Sequence, residues 1–466
     1  MPHPKSRRTV ARCVALAALL SAPVTLSAGP AAAAPKTPVV DFNGDGYADL
    51  AISAPRGTVS DVLAAGYISV AYGSAAGVDT AHPQLISRAT EGVPGDVHEW
   101  GLFGTRTAAR DLDGDGRTDL VVGDWNDPVV LWGSADGLVD PTKLPGAYQV
   151  GAGDINGDGH ADLLVNHDGG LQVRFGPLTR AGVPVSTDTL TFDDEDGASD
   201  FAVGDMNGDG KDDVVITHGF EEMQYQSAYY KGTSTGLDKT PKSTGYYTVG
   251  GVVADVNKDG YGDFIARQVG QVSETMQYDA GAVRVVYGSS AGPSTRTAKI
   301  TQDTAGVPGV DEAGDNSVGY GDQFGYSLAA GDVTGDGYPD IAVGVPGEDI
   351  GSVRDAGSVV LLKGGASGLT GSGAQAFNQS TSGVPGASEA NDNFGGGVLL
   401  ADVNANNRAD LVLGAPQEDG TYVDSGAVWV FRGSTSGLTT TNLASFGPSS
   451  LGAPENGAYF GQEFAH

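Results

Sequence analysis

Only one cysteine, Cys13, occurs in 466 residues, and it lies near the N-terminus. No intrachain disulfide can staple the chain, and Cys-rich zinc sites are excluded. Positive charge is scarce as well: 26 Lys and Arg stand against 58 Asp and Glu, a formal net charge of −32. Such a surface repels nucleic acid and anionic membranes. Beyond the first 34 residues no stretch keeps a helical period, and no second long hydrophobic run appears. The seven histidines are scattered, with no zinc spacing and no phosphate-binding loop among them.

The first residues have a different character from the rest. Lys5, Arg7, Arg8 and Arg12 precede or enter an apolar core over 14–26, and small residues at 31–34 suit cleavage. This reads as a secretory signal peptide over 1–34. Arg7-Arg8 hints at a twin-arginine route, but Val10 and Ala11 are small for it and favour the general route. Cleavage would remove four positive and no negative charges, taking −32 to −36. With no sorting tail in view, free release as a secreted, extracellular monomer is expected.

What the chain has in abundance is one acidic loop. The pattern D-x-[DN]-x-D-G-x-x-D, with Thr once at position 3, occurs six times, each copy followed by an apolar strand. Oxygen side chains at positions 1, 3, 5 and 9 can converge on a cation, the position-7 carbonyl can join them, and glycine at position 6 permits the sharp turn. Hard oxygen ligands without His or Cys select Ca²⁺. The expected ligands are Asp41, Asn43, Asp45 and Asp49; Asp111, Asp113, Asp115 and Asp119; Asp154, Asn156, Asp158 and Asp162; Asp205, Asn207, Asp209 and Asp213; Asp255, Asn257, Asp259 and Asp263; and Asp332, Thr334, Asp336 and Asp340. A seventh copy at Asp402 is eroded, with Asn406 for Asp and Asn407 for Gly, which leaves about six Ca²⁺ sites expected. An EF-hand would need Glu at position 12 and flanking helices. Here position 12 is Ile52, Val122, Val165, Ile216, Ala266 or Val343, each in a β-type run.

The loops punctuate a repeat. Their starts lie 70, 43, 51, 50, 77 and 70 residues apart, in the range of propeller blades. After each loop comes a strand, then a second strand ending in glycine, then a short turn such as Ser74-Ala75-Ala76-Gly77. Gly232-Thr233-Ser234-Thr235-Gly236 and Gly288-Ser289-Ser290-Ala291-Gly292 match the nucleophile-elbow string, but they are further copies of this turn in an all-β context.

Phe103-Gly104, Phe324-Gly325 and Phe394-Gly395 stand eight residues before their acidic loops, and Gly414-Ala415-Pro416 and near variants follow the loops. This grammar resembles the FG-GAP repeat of the integrin alpha-chain N-terminal propeller, also present in secreted bacterial proteins, over about residues 37–466. The resemblance implies an all-β, seven-bladed β-propeller with Ca²⁺-binding loops over 35–466. The tail 459–466 begins a repeat without a loop and Asp41 begins a loop without Phe-Gly, so the tail is expected to complete the first blade.

In such blades the acidic loops share one face, and the opposite face carries the long insertions that contain Gly-Val-Pro-Gly at 92–95, 306–309 and 383–386. Trp100, Trp125, Tyr320 and Tyr422 are the candidate ligand-binding residues there, with His98 and Glu99 beside them. The functional expectation is a calcium-stabilised, non-catalytic adhesion or binding module for an extracellular protein or glycan. The alternative is a secreted hydrolase or lyase acting on an extracellular polymer through the same face, with a carboxylate pair such as Glu99 and Asp124.

Overall fold

Each acidic loop runs straight into a strand that is buried along its length: Leu50–Ala54, Asp119–Gly123, Asp340–Val345 and Asp410–Ala415 are examples. These strands read as unbroken apolar runs because they lie inside a blade packed on both faces by its neighbours. Fourth strands, such as Asp79–Ile86 and Gly437–Phe446, sit further out and alternate between half-buried and exposed residues. Position in the blade sets the pattern.

The structure, a computed structural model, describes Met1 and residues 39–124, 128–145, 149–167, 170–192, 200–217, 226–270, 277–314 and 320–466. Trp125 and, apart from Met1, the signal peptide expected over 1–34 lie outside the described residues. Ala34–His466 is one unit, an all-β, seven-bladed β-propeller. Helix in the described residues is confined to short 3₁₀ turns such as Pro448–Leu451. None of the described helices is long and apolar enough to cross a membrane.

Blade two shows the plan: Arg106–Arg110, Asp119–Gly123, Val129–Ser134 and Gly137–Lys143 pair antiparallel in order. Blades three to seven repeat it from inner strands Val150–Gly153, Asp200–Gly204, Thr248–Ala254, Leu328–Gly331 and Gly397–Ala401. Blade one has three strands of its own. Its inner position is taken by the C-terminal residues, where Phe464 bridges Ile52. Ser53 N–H donates to Glu463 O at 2.9 Å, and Ala465 N–H to Ala51 O at 3.2 Å. On the far side Ala109 N–H reaches His466 O at 3.2 Å. The last residues thus link blade one to blade two without an open sheet edge between them.

Packing between blades explains the Phe-Gly element. Phe103, Phe324, Phe394 and Phe460 are fully buried, and each lies against the glycine that opens a third strand in the preceding blade. Gly357 has φ +86°, and a Cβ there would stand 2.4 Å from Phe394 N. Only glycine admits both the left-handed backbone and that approach. The third-to-fourth turns are equally regular: Ser74, Ser134, Thr233, Ser289 and Ser434 each donate a hydroxyl to the carbonyl of the glycine three residues on. Both elbow-like strings are therefore turns of the repeat.

Candidate functional site

Six of the acidic loops join first and second strands and the Asp41 loop leads into the second strand of blade one, so all seven lie on one face with the third-to-fourth turns. In the first loop Asp41 Oδ1 accepts N–H from Gly44 at 2.7 Å and Asp45 at 3.1 Å, while Oδ2 accepts from Gly46 at 2.8 Å. Asp111, Asp154, Asp205 and Asp332 repeat all three bonds. Asp255 accepts from Asp259 and Gly260. These bonds curl the loop around its first carboxylate. Position 3 takes part through Asn43, Asn156 and Asn257, whose Oδ1 accepts the position-5 N–H.

Position 9 does different work. Asp49, Asp119, Asp162, Asp213, Asp263 and Asp340 are buried. Each accepts the position-2 N–H on one oxygen and a glycine N–H at the end of the third strand on the other. For Asp49 those bonds measure 2.8 Å to Phe42 and 2.9 Å to Gly73. Burial pushes the Asp49, Asp119 and Asp263 carboxyls up to about 7, against the pull of these N–H donors. The final Asp of each loop is thus a staple between loop and blade, a role that the glycine at the end of the third strand signals in the sequence. Each carboxylate oxygen has further lone pairs for a cation.

Positions 1, 3 and 5 come together most clearly in the second loop. One oxygen each from Asp111, Asp113 and Asp115 lie within 4.8 Å of one another, the one such carboxylate trio among the described residues. Arg180 of blade three reaches the same group, with Nε 2.8 Å from Asp113 Oδ2 and Nη2 3.0 Å from Asp115 Oδ2. The fourth loop differs: Asn207 turns its amide inward to both oxygens of Asp213 at 3.0 Å, and Lys231 pairs with Asp209 at 2.8 Å. In the sixth, Thr334 is 8% exposed and its hydroxyl has no partner. The eroded seventh loop keeps the curl around Asp402. There a guanidinium enters: Arg432 Nη1 lies 2.8 Å from Asp410 Oδ2, and Asp410 is fully buried.

The other face carries the insertions. Trp100 is 59% exposed at φ +59°, a conformation that costs a bulky residue energy unless its surroundings hold it. Its N–H donates to Leu63 O at 3.2 Å, and Leu63 is exposed too. Tyr320 is exposed, its ring 6.4 Å from that of Tyr278, and Tyr422 and Val423 are exposed in blade seven. His98 and Glu99 are exposed beside Trp100. Asp124 is not their companion: it is buried and ion-paired with Arg88 at 2.9 Å. That pairing leaves the expected Glu99–Asp124 carboxylate pair without its second member.

Comparison with known proteins agrees with this architecture. The FG-GAP repeat model matches residues 36–70, 324–362 and 394–431, and the FG-GAP-like repeat model matches 111–165 and 154–216. Phosphatidylinositol-glycan-specific phospholipase D of Bos taurus is 29% identical over 184 residues, 39% of this chain and 20% of that protein. Integrin alpha pat-2 of Caenorhabditis briggsae is 30% identical over 228 residues, 46% of this chain and 17% of that one. The chain therefore spans about a fifth of the length of these relatives. In fold it is similar to an Agrocybe aegerita lectin specific for non-reducing terminal N-acetylglucosamine, at TM-score 0.50 and 14% identity over 88% of this chain and 94% of that one.

Proposed function

We infer that this chain, an FG-GAP repeat protein with an integrin-alpha-like propeller, is a secreted, Ca²⁺-stabilised module that binds an extracellular protein or glycan without catalysis. The observation that carries the binding reading is Trp100. An indole more than half exposed, on backbone that disfavours it, is costly to keep for packing alone, and exposed aromatics dominate recognition surfaces. The lectin's glycan specificity adds support for a sugar ligand. Secretion rests on the basic and apolar leader. Calcium rests on six curled loops whose donors are all oxygen and whose carboxylates outnumber nearby basic groups. The phospholipase relatives give the hydrolase alternative its interest. Against it, Asp124, the partner expected for Glu99, is buried and committed to Arg88.

Glycan-array and pull-down capture should weaken at least tenfold in Trp100→Ala and fall further with Tyr320→Ala, while the melting temperature moves by no more than a few degrees. His160→Ala, on the acidic-loop face, should capture like the parent. Capture lost in His160→Ala and kept in Trp100→Ala would invert the faces. Polymer turnover abolished by Glu99→Gln would replace the module with the enzyme.

A further inference from the structure

Three blade junctions on the insertion-bearing face are built alike. Their connectors read Ser87-Arg88-Ala89-Thr90, Thr301-Gln302-Asp303-Thr304 and Asn378-Gln379-Ser380-Thr381, each leading to Gly-Val-Pro-Gly. In each, the backbone N–H of the first residue donates to the threonine hydroxyl, at 2.9, 2.9 and 3.0 Å. The second residue points at a carboxylate from the next blade. Arg88 meets Asp124, Gln302 donates Nε2 to Glu348, and Gln379 donates Nε2 to Glu418 at 2.6 Å.

Charge separates the three. The first junction has one buried carboxylate and one guanidinium, and Gly101 stands two residues before Phe103. In the other two that place holds Asp322 and Asp392, each 2% exposed. Asp322 Oδ2 accepts Glu312 N–H at 2.6 Å, and Asp392 Oδ2 accepts Glu389 N–H at 2.7 Å. Gly347 and Gln417, the neighbours of Glu348 and Glu418, donate N–H to the Asp322 and Asp392 carbonyls, both at 3.3 Å. Two carboxylates therefore share each junction with a neutral glutamine where the first junction has arginine. Gln302 and Gln379 are both 2% exposed, and the Oε1 of each has no partner. A half-turn of the amide exchanges the donor beside the glutamate for an oxygen ligand.

We propose that the junctions between blades five and six and between blades six and seven each bind one divalent cation of the Ca²⁺ type. Asp322, Glu348 and Gln302 supply the oxygens in the first, and Asp392, Glu418 and Gln379 in the second. Carboxylate and amide oxygens are the donors that a hard cation takes. One divalent charge neutralises both carboxylates, as the arginine does for the single carboxylate of the first junction. Burial, then neighbouring carboxylates, push the Asp322 and Asp392 carboxyls up to about 8 and about 6, so these groups resist ionising alone. These sites lie on the face opposite the acidic loops and use none of their residues.

Native mass spectrometry of the purified protein, stripped with chelator and reloaded with Ca²⁺ alone, counts the ions. Asp322→Asn and Asp392→Asn should each bind one ion fewer than the parent, and the double variant two fewer. Gln302→Arg with Gln379→Arg copies the first junction, keeps the carboxylates, and should also lose two. The count is a difference from the parent, so it holds whatever number the loops contribute. An unchanged count in either folded double variant overturns the proposal. If the aspartate variants fail to fold, the arginine pair decides it.

Discussion

In the sixth acidic loop, Lys258 Nζ donates to the Asp336 carbonyl at 3.2 Å, but no basic side chain among the described residues pairs with the carboxylates of Asp332, Asp336 or Asp340, which are held by backbone N–H groups. The seventh loop keeps the same curl and the same buried final aspartate, Asp410, but adds Arg432 at 2.8 Å. Arg432 also reaches blade one, with Nη2 3.2 Å from Ala76 O. Erosion of the loop sequence thus coincides with a cation supplied by the chain itself. On the calcium reading proposed above, ion and guanidinium supply the same countercharge to the same frame. The insertion-bearing face repeats the lesson, with Arg88 in one junction and glutamine in two. On that reading, Arg432 and Arg88 mark the carboxylates that can do without an ion.

Removing calcium should break this comparison most visibly. At free Ca²⁺ a hundredfold above its dissociation constant, each occupied site stabilises the fold by about 2.7 kcal/mol. Loss of several sites by chelation should lower the melting temperature by more than about ten degrees. Hydrogen exchange should then rise across loops one, three, five and six and stay low at 402–410. Asp332→Ala should remove part of the calcium-induced rise in melting temperature, and Asp402→Ala none of it. Equal protection of all loops in excess chelator would end the idea that ions hold them.

Arg432→Gln should sharpen the same contrast. Breaking a buried pair from one side leaves Asp410 without its countercharge and costs about 3–5 kcal/mol. The loss should appear with calcium present or absent, because the seventh loop has Asn406 and Asn407 where the others have a carboxylate and a glycine. Calcium titration of melting temperature in parent and variant reads this directly: two parallel curves are expected. Curves that converge at high calcium would mean that an ion can replace the guanidinium.

How much of this was legible in the sequence depends on the range of the interaction. Strands, loops and turns are local patterns, so the period, the glycines and the Asp spacing revealed the blades and the curled loops. The role of the final aspartate needed the third strand, 19 residues on in blade four and 25 in blade five. Arg432 lies 22 residues from Asp410, and Arg180 lies 65 from Asp115. Such partners are set by which strands end on which face, and no spacing rule anticipates them. Asp124 taught the converse: a residue that reads as exposed and acidic after a strand is buried, because Arg88 of the preceding blade packs onto it.

The smallest expected effect concerns the strand contributed by the C-terminus. Glu463 Oε1 accepts from Thr107 N and Oγ1, both at 3.1 Å, and Oε2 lies 3.7 Å from Arg106 Nη1. Burial pushes this carboxyl up to about 7, with Arg106 pulling it down and Asp200 pushing it up. In the unfolded chain a glutamate ionises near its ordinary value, 4.5. Between 4.5 and 7 the folded state therefore holds a proton that the unfolded state has lost, so this group's contribution to stability falls as pH rises through that window. Glu463→Gln keeps an oxygen for Thr107 and removes the ionisation. The side chain is 28% exposed, so solvent screens part of the effect and the gain at pH 8 should be on the order of 1 kcal/mol. Melting temperatures of parent and variant at saturating calcium should coincide near pH 4 and separate toward pH 8, with the variant higher. A parent that is the more stable at pH 8 would mean that the Arg106 pair outweighs desolvation, and that the ring is closed by an ion pair.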